Sequence, residues 1–200
     1  MELIKYILLI ILSYLLGSFN FSIICSRRFK KSDVRDFGSG NAGITNYFRA
    51  YGSKTVFIVM IGDMGKCFLA AFVGGLLFGF WGRLIGGLFV MLGHLFPVFF
   101  KFKGGKGVLT TAATILAFDW RVFLIAFCAF LLIVFVTRFV SLGSVIAVCM
   151  VPPLIYMFYE GEWRYVGITA LIALIVVFMH RQNIGRLING TESKFTLKRK

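Results

Sequence analysis

Residues 121–137 read RVFLIAFCAFLLIVFVT, and from Val122 to Val136 no polar side chain interrupts the run. An apolar stretch of this length is what an α-helix needs to cross a bilayer, because its internal hydrogen bonds satisfy the backbone where water is absent. Working outward, runs of the same kind cover 3–26, 54–80, 83–100, 105–118, 141–158 and 164–181. The pattern predicts an all-α, polytopic transmembrane bundle of about seven helices forming one domain over 1–200. The 105–118 run is short and rich in Gly, Ala and Thr, which suits a half-helix sheltered by protein. Residues 3–16 (LIKYILLIILSYLL) carry their basic flank after the run and no small-x-small cleavage pattern follows, so they read as a retained first span.

Composition supports the same class. Hydrophobic residues make up 59% of the 200-residue chain and charged residues 15%, which excludes an ordinary soluble domain. The net charge of +14 comes from 22 Lys and Arg against 8 Asp and Glu. Nucleic-acid binding would need a soluble basic face, and the apolar runs leave none. Membrane lipids and anionic substrates are the expected partners. One set of connections holds Arg27, Arg28, Lys30, Lys31, Arg35 and Arg49, then Lys101, Lys103 and Lys106, then Arg138, then Arg181 and Arg186. The intervening connections, around Trp81, Trp120 and Trp163, are short and poor in cations. The asymmetry puts the first set in the cytoplasm, with the N-terminus outside, the C-terminus inside and the tryptophans at the outer interface. The tail 196–200 (TLKRK) is expected to be a mobile basic segment drawn to anionic headgroups. Cys25, Cys67, Cys128 and Cys149 stand singly, with no C-x-x-C and no zinc spacing, so neither metal nor cofactor is expected.

Three polar clusters interrupt the apolar pattern, all on the cationic connections. The first is Gly38-Ser39-Gly40-Asn41-Ala42-Gly43-Ile44-Thr45-Asn46, with Arg49 beyond it. Glycines let backbone N–H groups turn toward an anion, Ser39, Asn41, Thr45 and Asn46 add neutral donors, and Arg49 offers a planar fork for phosphate. The second is Lys103-Gly104-Gly105-Lys106-Gly107 ahead of a helix, a phosphate-binding geometry that is not a Walker A loop. The third is His180-Arg181-Gln182-Asn183-Ile184-Gly185-Arg186, where His180 and Asn183 share a helical face, as do Asn183 and Arg186. Each also fits a blander reading, as a polar connector, a positive-inside turn and an interfacial helix end. Ser141 and Ser144 open the sixth run, where they either cap it or, for Ser144, touch a ligand. Asp63 and Lys66 form an i,i+3 pair within a span, a functional candidate or a self-neutralised structural pair.

The strings GSGNAGITNYFRA (38–50), GHLFPVFFKFKGGKGV (93–108) and HRQNIGRLINGTE (180–192) resemble the three motifs of the bacterial acyl-phosphate-dependent glycerol-3-phosphate acyltransferases. LLGSFNFS (15–22), DMGK (63–66) and RFVSLGS (138–144) are similar to that family's flanking segments. The resemblance implies acyl transfer from acyl phosphate to the sn-1 hydroxyl of glycerol 3-phosphate, giving lysophosphatidic acid for phospholipid synthesis, at the cytoplasmic face of the cell membrane. It implies that Ser39 through Asn46 (with Gly38) and Gly104 through Lys106 hold donor phosphate. It also implies that Arg49, Lys106, Ser144, His180 and Asn183 surround glycerol 3-phosphate. A soluble enzyme that makes acyl phosphate is an implied partner. The His-x4-Asp pair of other glycerolipid acyltransferases is absent, because Phe99 and Gly185 stand where the aspartate would follow His94 and His180. Two mechanisms stay open: the donor's phosphate takes the hydroxyl proton, or His180 does. A transporter would place its polar groups at mid-membrane and show paired repeats. A scaffold would not need three donor-rich clusters.

Overall fold

The computed structural model describes residues 1–52 and 54–196, so beyond Thr196 the expected basic tail lies outside the described residues. No strand occurs among them, and the α-helices are α1 (Glu2–Ser18), α2 (Phe21–Lys30), α3 (Ile44–Tyr51), α4 (Val56–Leu95), α5 (Val108–Phe118), α6 (Trp120–Thr137), α7 (Val140–Phe158), α8 (Trp163–Met179) and α9 (Arg181–Ile188). Glu2–Lys30, Val56–Phe100, Trp120–Thr137 and Val140–Phe158 are long and apolar enough to cross a membrane; α8 and α9, bent by 59°, form a further candidate as a pair. Large apolar side chains stay uncovered along these helices, with Phe135 85% exposed, Leu76 71% and Leu174 68%. In water such a surface would aggregate, whereas acyl chains solvate it. The helical membrane architecture expected from the apolar runs is the one observed.

The chain divides into two compact units, Met1–Phe118 and the remainder from Asp119. In the first, the run expected over 3–26 breaks at Phe19-Asn20. The Asn20 side chain accepts the Ile23 N–H and starts α2, which continues through Arg27 and Arg28 to a left-handed Lys31. α4 is a hairpin of two arms. It reverses at Phe78 (φ −142°) and Gly79 (φ 61°), a left-handed conformation that glycine adopts without strain. The reversal lies before Trp81-Gly82-Arg83, the expected connection, so those residues open the second arm. Gly74 and Gly82 let the arms touch through their backbones, since a Cβ on either would meet the other's carbonyl oxygen. α1 lies equally close to the second arm: Gly17 abuts Val90, Gly93 abuts Tyr14, and the Tyr14 hydroxyl donates to the Phe96 carbonyl (2.7 Å). α5 packs on α4, with Cys67, Ala70, Val90 and Ala113 in the buried seam.

In the second unit α7 packs between α6 and α8. Asp119 caps α6 by accepting the Arg121 N–H, and its Oδ2 takes the Tyr159 hydroxyl (2.8 Å) from the end of α7. Pro152 and Pro153 sit within α7, a placement that apolar surroundings tolerate better than water does. The apolar run expected over 164–181 ends at Met179. His180 then serves as both the last cap of α8 and the first of α9.

Candidate active site

Two glycine-rich loops of the first unit form one structure. The first starts at Asp33, which caps a short 3-10 turn (Val34–Asp36) by accepting the Arg35 N–H. It turns at Gly38 (φ 59°) and Gly40 (φ 68°) and enters α3 after Gly43. Asn46 organises it. Its Nδ2 donates to the carbonyls of Val34 (3.0 Å), Phe37 (2.9 Å) and Asn41 (3.0 Å), and its Oδ1 accepts the Ser39 N–H (3.0 Å). A Cβ on Gly38 would collide with that Oδ1, so glycine is needed there for space as well as for φ. Underneath, Ile23, Val34, Ala42, Tyr47 and Val59 make a small apolar core of their own. The loop is therefore built, with Gly38, Ser39, Gly40 and Arg49 exposed above it and Asn41 and Thr45 half-buried.

The second loop follows Pro97. Lys101 and Phe102 both take left-handed conformations (φ 58° and 57°), a strain of about 1–3 kcal/mol each that persists only where the surroundings over-determine it. Those surroundings are visible. The Arg35 guanidinium donates to the carbonyls of Phe100 (2.9 Å) and Lys103 (3.0 Å), and the N–H groups of Gly104 and Gly105 donate to Leu95 (3.0 Å) and His94 (3.1 Å). Arg35 is held in turn by Asp33 (2.8 Å); hydrogen bonds from Arg35 keep that carboxyl well below the usual carboxylate range despite partial burial. The Ala42 N–H donates to the Gly104 carbonyl (3.2 Å) and joins the loops directly. Lys106 is half-buried at the end of this turn, one residue before Gly107 (φ 86°) leads into α5.

Beneath the joined loops lies a buried polar network that the sequence reading caught only in part. The expected Asp63–Lys66 pair is present at 2.7 Å, fully enclosed. Lys66 Nζ also donates to the carbonyls of Gly17 and Phe19 (both 2.9 Å), which the break between α1 and α2 leaves open, and lies 3.2 Å from His94 Nδ1. Asn20 and His94 were not among the expected site residues. Asn20 Nδ2 donates to the Ala42 carbonyl (3.2 Å) and lies 3.4 Å from the same His94 nitrogen. A single Asn or His within an apolar run carries no local pattern; a break in that run is the one signal that could have flagged Asn20.

The third cluster belongs to the second unit. The Asn183 amide (2.6 Å), Arg186 Nε (2.7 Å) and the Ser141 hydroxyl (2.7 Å) all donate to Glu192. Burial alone would raise the Glu192 carboxyl, but these three hydrogen bonds and the Arg186 charge outweigh it and hold it below its ordinary value. Neither serine caps α7. Ser141 reaches Glu192, and the Ser144 hydroxyl donates to the Val140 carbonyl (2.8 Å) one turn back. His180 is buried, with Nδ1 2.8 Å from the Val176 carbonyl. That acceptor fixes the proton of the neutral ring on Nδ1 and its lone pair on Nε2. The candidate residues thus divide by unit: Gly38 through Arg49 and Gly104 through Lys106 lie in the first, and Ser144, His180 and Asn183 in the second, where Asn183 joins Ser141 and Arg186 on Glu192. Among the described residues no group of His, Cys, Asp and Glu is arranged to hold a metal ion.

Comparison with known proteins gives one answer. The family profile for glycerol-3-phosphate acyltransferase matches residues 7–190. A glycerol-3-phosphate acyltransferase of Syntrophomonas wolfei is 43% identical over 188 residues, covering 94% of this chain and 96% of that protein. The Bacillus subtilis glycerol-3-phosphate acyltransferase is 38% identical, with the same coverages. The crystal structure of PlsY, an integral membrane glycerol 3-phosphate acyltransferase, in its glycerol 3-phosphate form, superposes with a TM-score of 0.89 at 36% identity over 96% of each chain. Its lysophosphatidic acid form gives 0.87 at 34% identity, again over 96% of each chain.

Proposed function

Since the chain belongs to the glycerol-3-phosphate acyltransferase family, we propose that it transfers a fatty acyl group from acyl phosphate to the sn-1 hydroxyl of glycerol 3-phosphate. The products are lysophosphatidic acid and inorganic phosphate, and the reaction takes place at the cytoplasmic face of the cell membrane. The observation that carries this reading is the Ala42–Gly104 hydrogen bond. It makes a single platform of two loops, whose backbone N–H groups largely brace each other and which carries Arg49 and Lys106, cations suited to phosphate. Both substrates carry phosphate, and the acyl tail of the donor is at home among lipid-exposed helices.

The chemistry asks little of a protein nucleophile. The sn-1 hydroxyl oxygen attacks the acyl carbonyl carbon, the carbon–oxygen bond to phosphate breaks, and phosphate leaves. The protein must hold the two substrates in line and stabilise negative charge on the carbonyl and leaving oxygens. Ser39, Arg49 and Lys106 are assigned to this task in the first unit. Ser144, His180 and Asn183 are assigned to glycerol 3-phosphate in the second, with Glu192 fixing the Asn183 amide. The hydroxyl proton passes to the phosphate of the donor, so catalysis is substrate-assisted. One observation favours the alternative, in which His180 is the base: its neutral ring carries the lone pair on Nε2. No cofactor enters either scheme. A soluble enzyme that makes acyl phosphate supplies the donor.

The test is purified protein in detergent with acyl phosphate and radiolabelled glycerol 3-phosphate, run beside acyl-carrier-protein and acyl-CoA donors. Labelled lysophosphatidic acid is expected from acyl phosphate; formation only from another donor would overturn the donor assignment. His180→Asn is run in the same assay. It retains most of its turnover under substrate assistance, while near-complete loss with glycerol 3-phosphate binding intact would make His180 the base.

A further inference from the structure

The buried network of Asp63, Lys66, Asn20 and His94 is too far inside the helices to be explained as solvated charge, and the reaction above makes no use of it. Its connectivity leads to one place. His94 follows Gly93, which abuts the Tyr14 backbone of α1, and its own carbonyl accepts the Gly105 N–H (3.1 Å). Its imidazole then folds under the same residue: the space a Cβ would take on Gly105 is occupied by His94 Nε2. Gly105 is thus gripped by His94 from both its backbone and its side chain, one residue before Lys106.

The ring is itself locked. Asn20 has its amide orientation set by two backbone partners, Oδ1 accepting from Ile23 (3.1 Å) and Nδ2 donating to Ala42 (3.2 Å). So the group 3.4 Å from His94 Nδ1 is an N–H donor. Lys66 Nζ, 3.2 Å from the same nitrogen, has only donors to offer. The Asn20 amide and the Lys66 ammonium thus flank the Nδ1 edge of the ring, and the opposite Nε2 edge lies against Gly105. Asp63 holds Lys66 in place (2.7 Å) and lies 3.5 Å from Nδ1. Asn20 links the same node to Ala42, whose N–H binds Gly104. A closed circuit therefore runs from Asp63–Lys66 through His94 to Gly105, and through Asn20 and Ala42 to Gly104.

We propose that His94, locked by Lys66 and Asn20, is a positioning residue that sets the height and orientation of the Gly104–Lys106 turn and thereby aims Lys106 at its substrate phosphate. The inference rests on Lys106 meeting a substrate phosphate, as in the reading above. A turn displaced by about 1 Å misplaces the cation, and errors of that size cost on the order of 100-fold in rate.

The experiment is a double-mutant cycle between His94→Ala and Lys106→Ala in the purified full chain. It reads kcat/KM for both substrates and the melting temperature without substrate. His94→Ala should lower kcat/KM by about 10- to 100-fold in the wild-type background and by less than about 3-fold once Lys106 is gone. A merely structural role would reduce the folded fraction and give equal losses in both backgrounds, which would overturn the proposal. Should His94→Ala fail to fold, His94→Gln carries the same cycle. Glutamine can still accept from Lys66 but lacks the ring edge under Gly105, so its smaller loss should also vanish in the Lys106→Ala background. Unchanged kinetics in His94→Gln beside unfolded His94→Ala would equally overturn it. Failure of the underlying reading looks different: Lys106→Ala by itself would leave kcat/KM for both substrates unchanged.

Discussion

Glu192 collects three donors from two helices, and that makes it a residue whose protonation the fold must feel. Ser141, Asn183 and Arg186 all address one carboxylate that is 5% exposed. Because its folded pKa lies below the unfolded value of 4.5, its stabilisation is fully present above that value and is lost as pH falls through the folded pKa. The melting temperature of the wild-type protein should therefore drop between about pH 5 and pH 3 by more than that of Glu192→Gln. At neutral pH Glu192→Gln should itself cost about 1–3 kcal/mol, discounted toward the lower figure by the partial exposure of Arg186. Parallel pH–melting curves for the two proteins would show Glu192 to be unimportant. The same residue shows how unevenly single side chains were legible. The polar clusters make Ser39, Arg49, Lys106, His180 and Asn183 visible as candidates, because donors among glycines stand out against apolar runs. Asn20 and His94 do not stand out, and Ser141 reads only as a cap, since their partners lie 22, 74 and 51 positions away and only packing brings them together.

Elements were easier to read than their joints. Apolar length marks each helix, whereas a break depends on one cap or one left-handed residue. Asn20, Gly79 and His180 each end or redirect a helix from inside or at the edge of an apolar run, so hydropathy passes over them. α3 was hidden for a different reason: its eight residues mix Thr, Asn and Arg with aromatics and read as loop until Tyr47 is buried on its own core. The hairpin of α4 depends on glycines at its contact, and that gives an element-scale prediction. Gly82→Leu would drive a side chain into the Gly74 backbone and force the arms apart, an overpacking cost of about 1–3 kcal/mol or more. Gly65, in the first arm, has nothing within 4 Å of where a Cβ would stand. Gly65→Ala should be neutral or gain up to about 1 kcal/mol from helix propensity. Thermal unfolding in detergent separates the two; equal losses would mean the glycines serve flexibility and not close approach.

For the molecule as a whole, charge and chemistry make the same demand. In the proposed reaction both substrates, glycerol 3-phosphate and acyl phosphate, are anions met at the cytoplasmic face, and that proposal needs the cationic connections there. Residues 27–35, 101–106 and 181–186 carry Arg and Lys, while the turns near Gly79, Asp119 and Gly161 carry few. The proposed topology, with the N-terminus outside and the C-terminus in the cytoplasm, follows from this charge asymmetry by the positive-inside rule and is open to direct test. A fluorescent protein that matures only in the cytoplasm should light up when fused to the C-terminus. A phosphatase active only outside should work when inserted at Gly161, in the α7–α8 turn, which is exposed and left-handed and so tolerant of insertion. The reverse pattern would turn Arg49 and Lys106 away from the cytosolic substrates, and with it would fall the cytoplasmic placement of the reaction, even though the loop geometry stayed as it is.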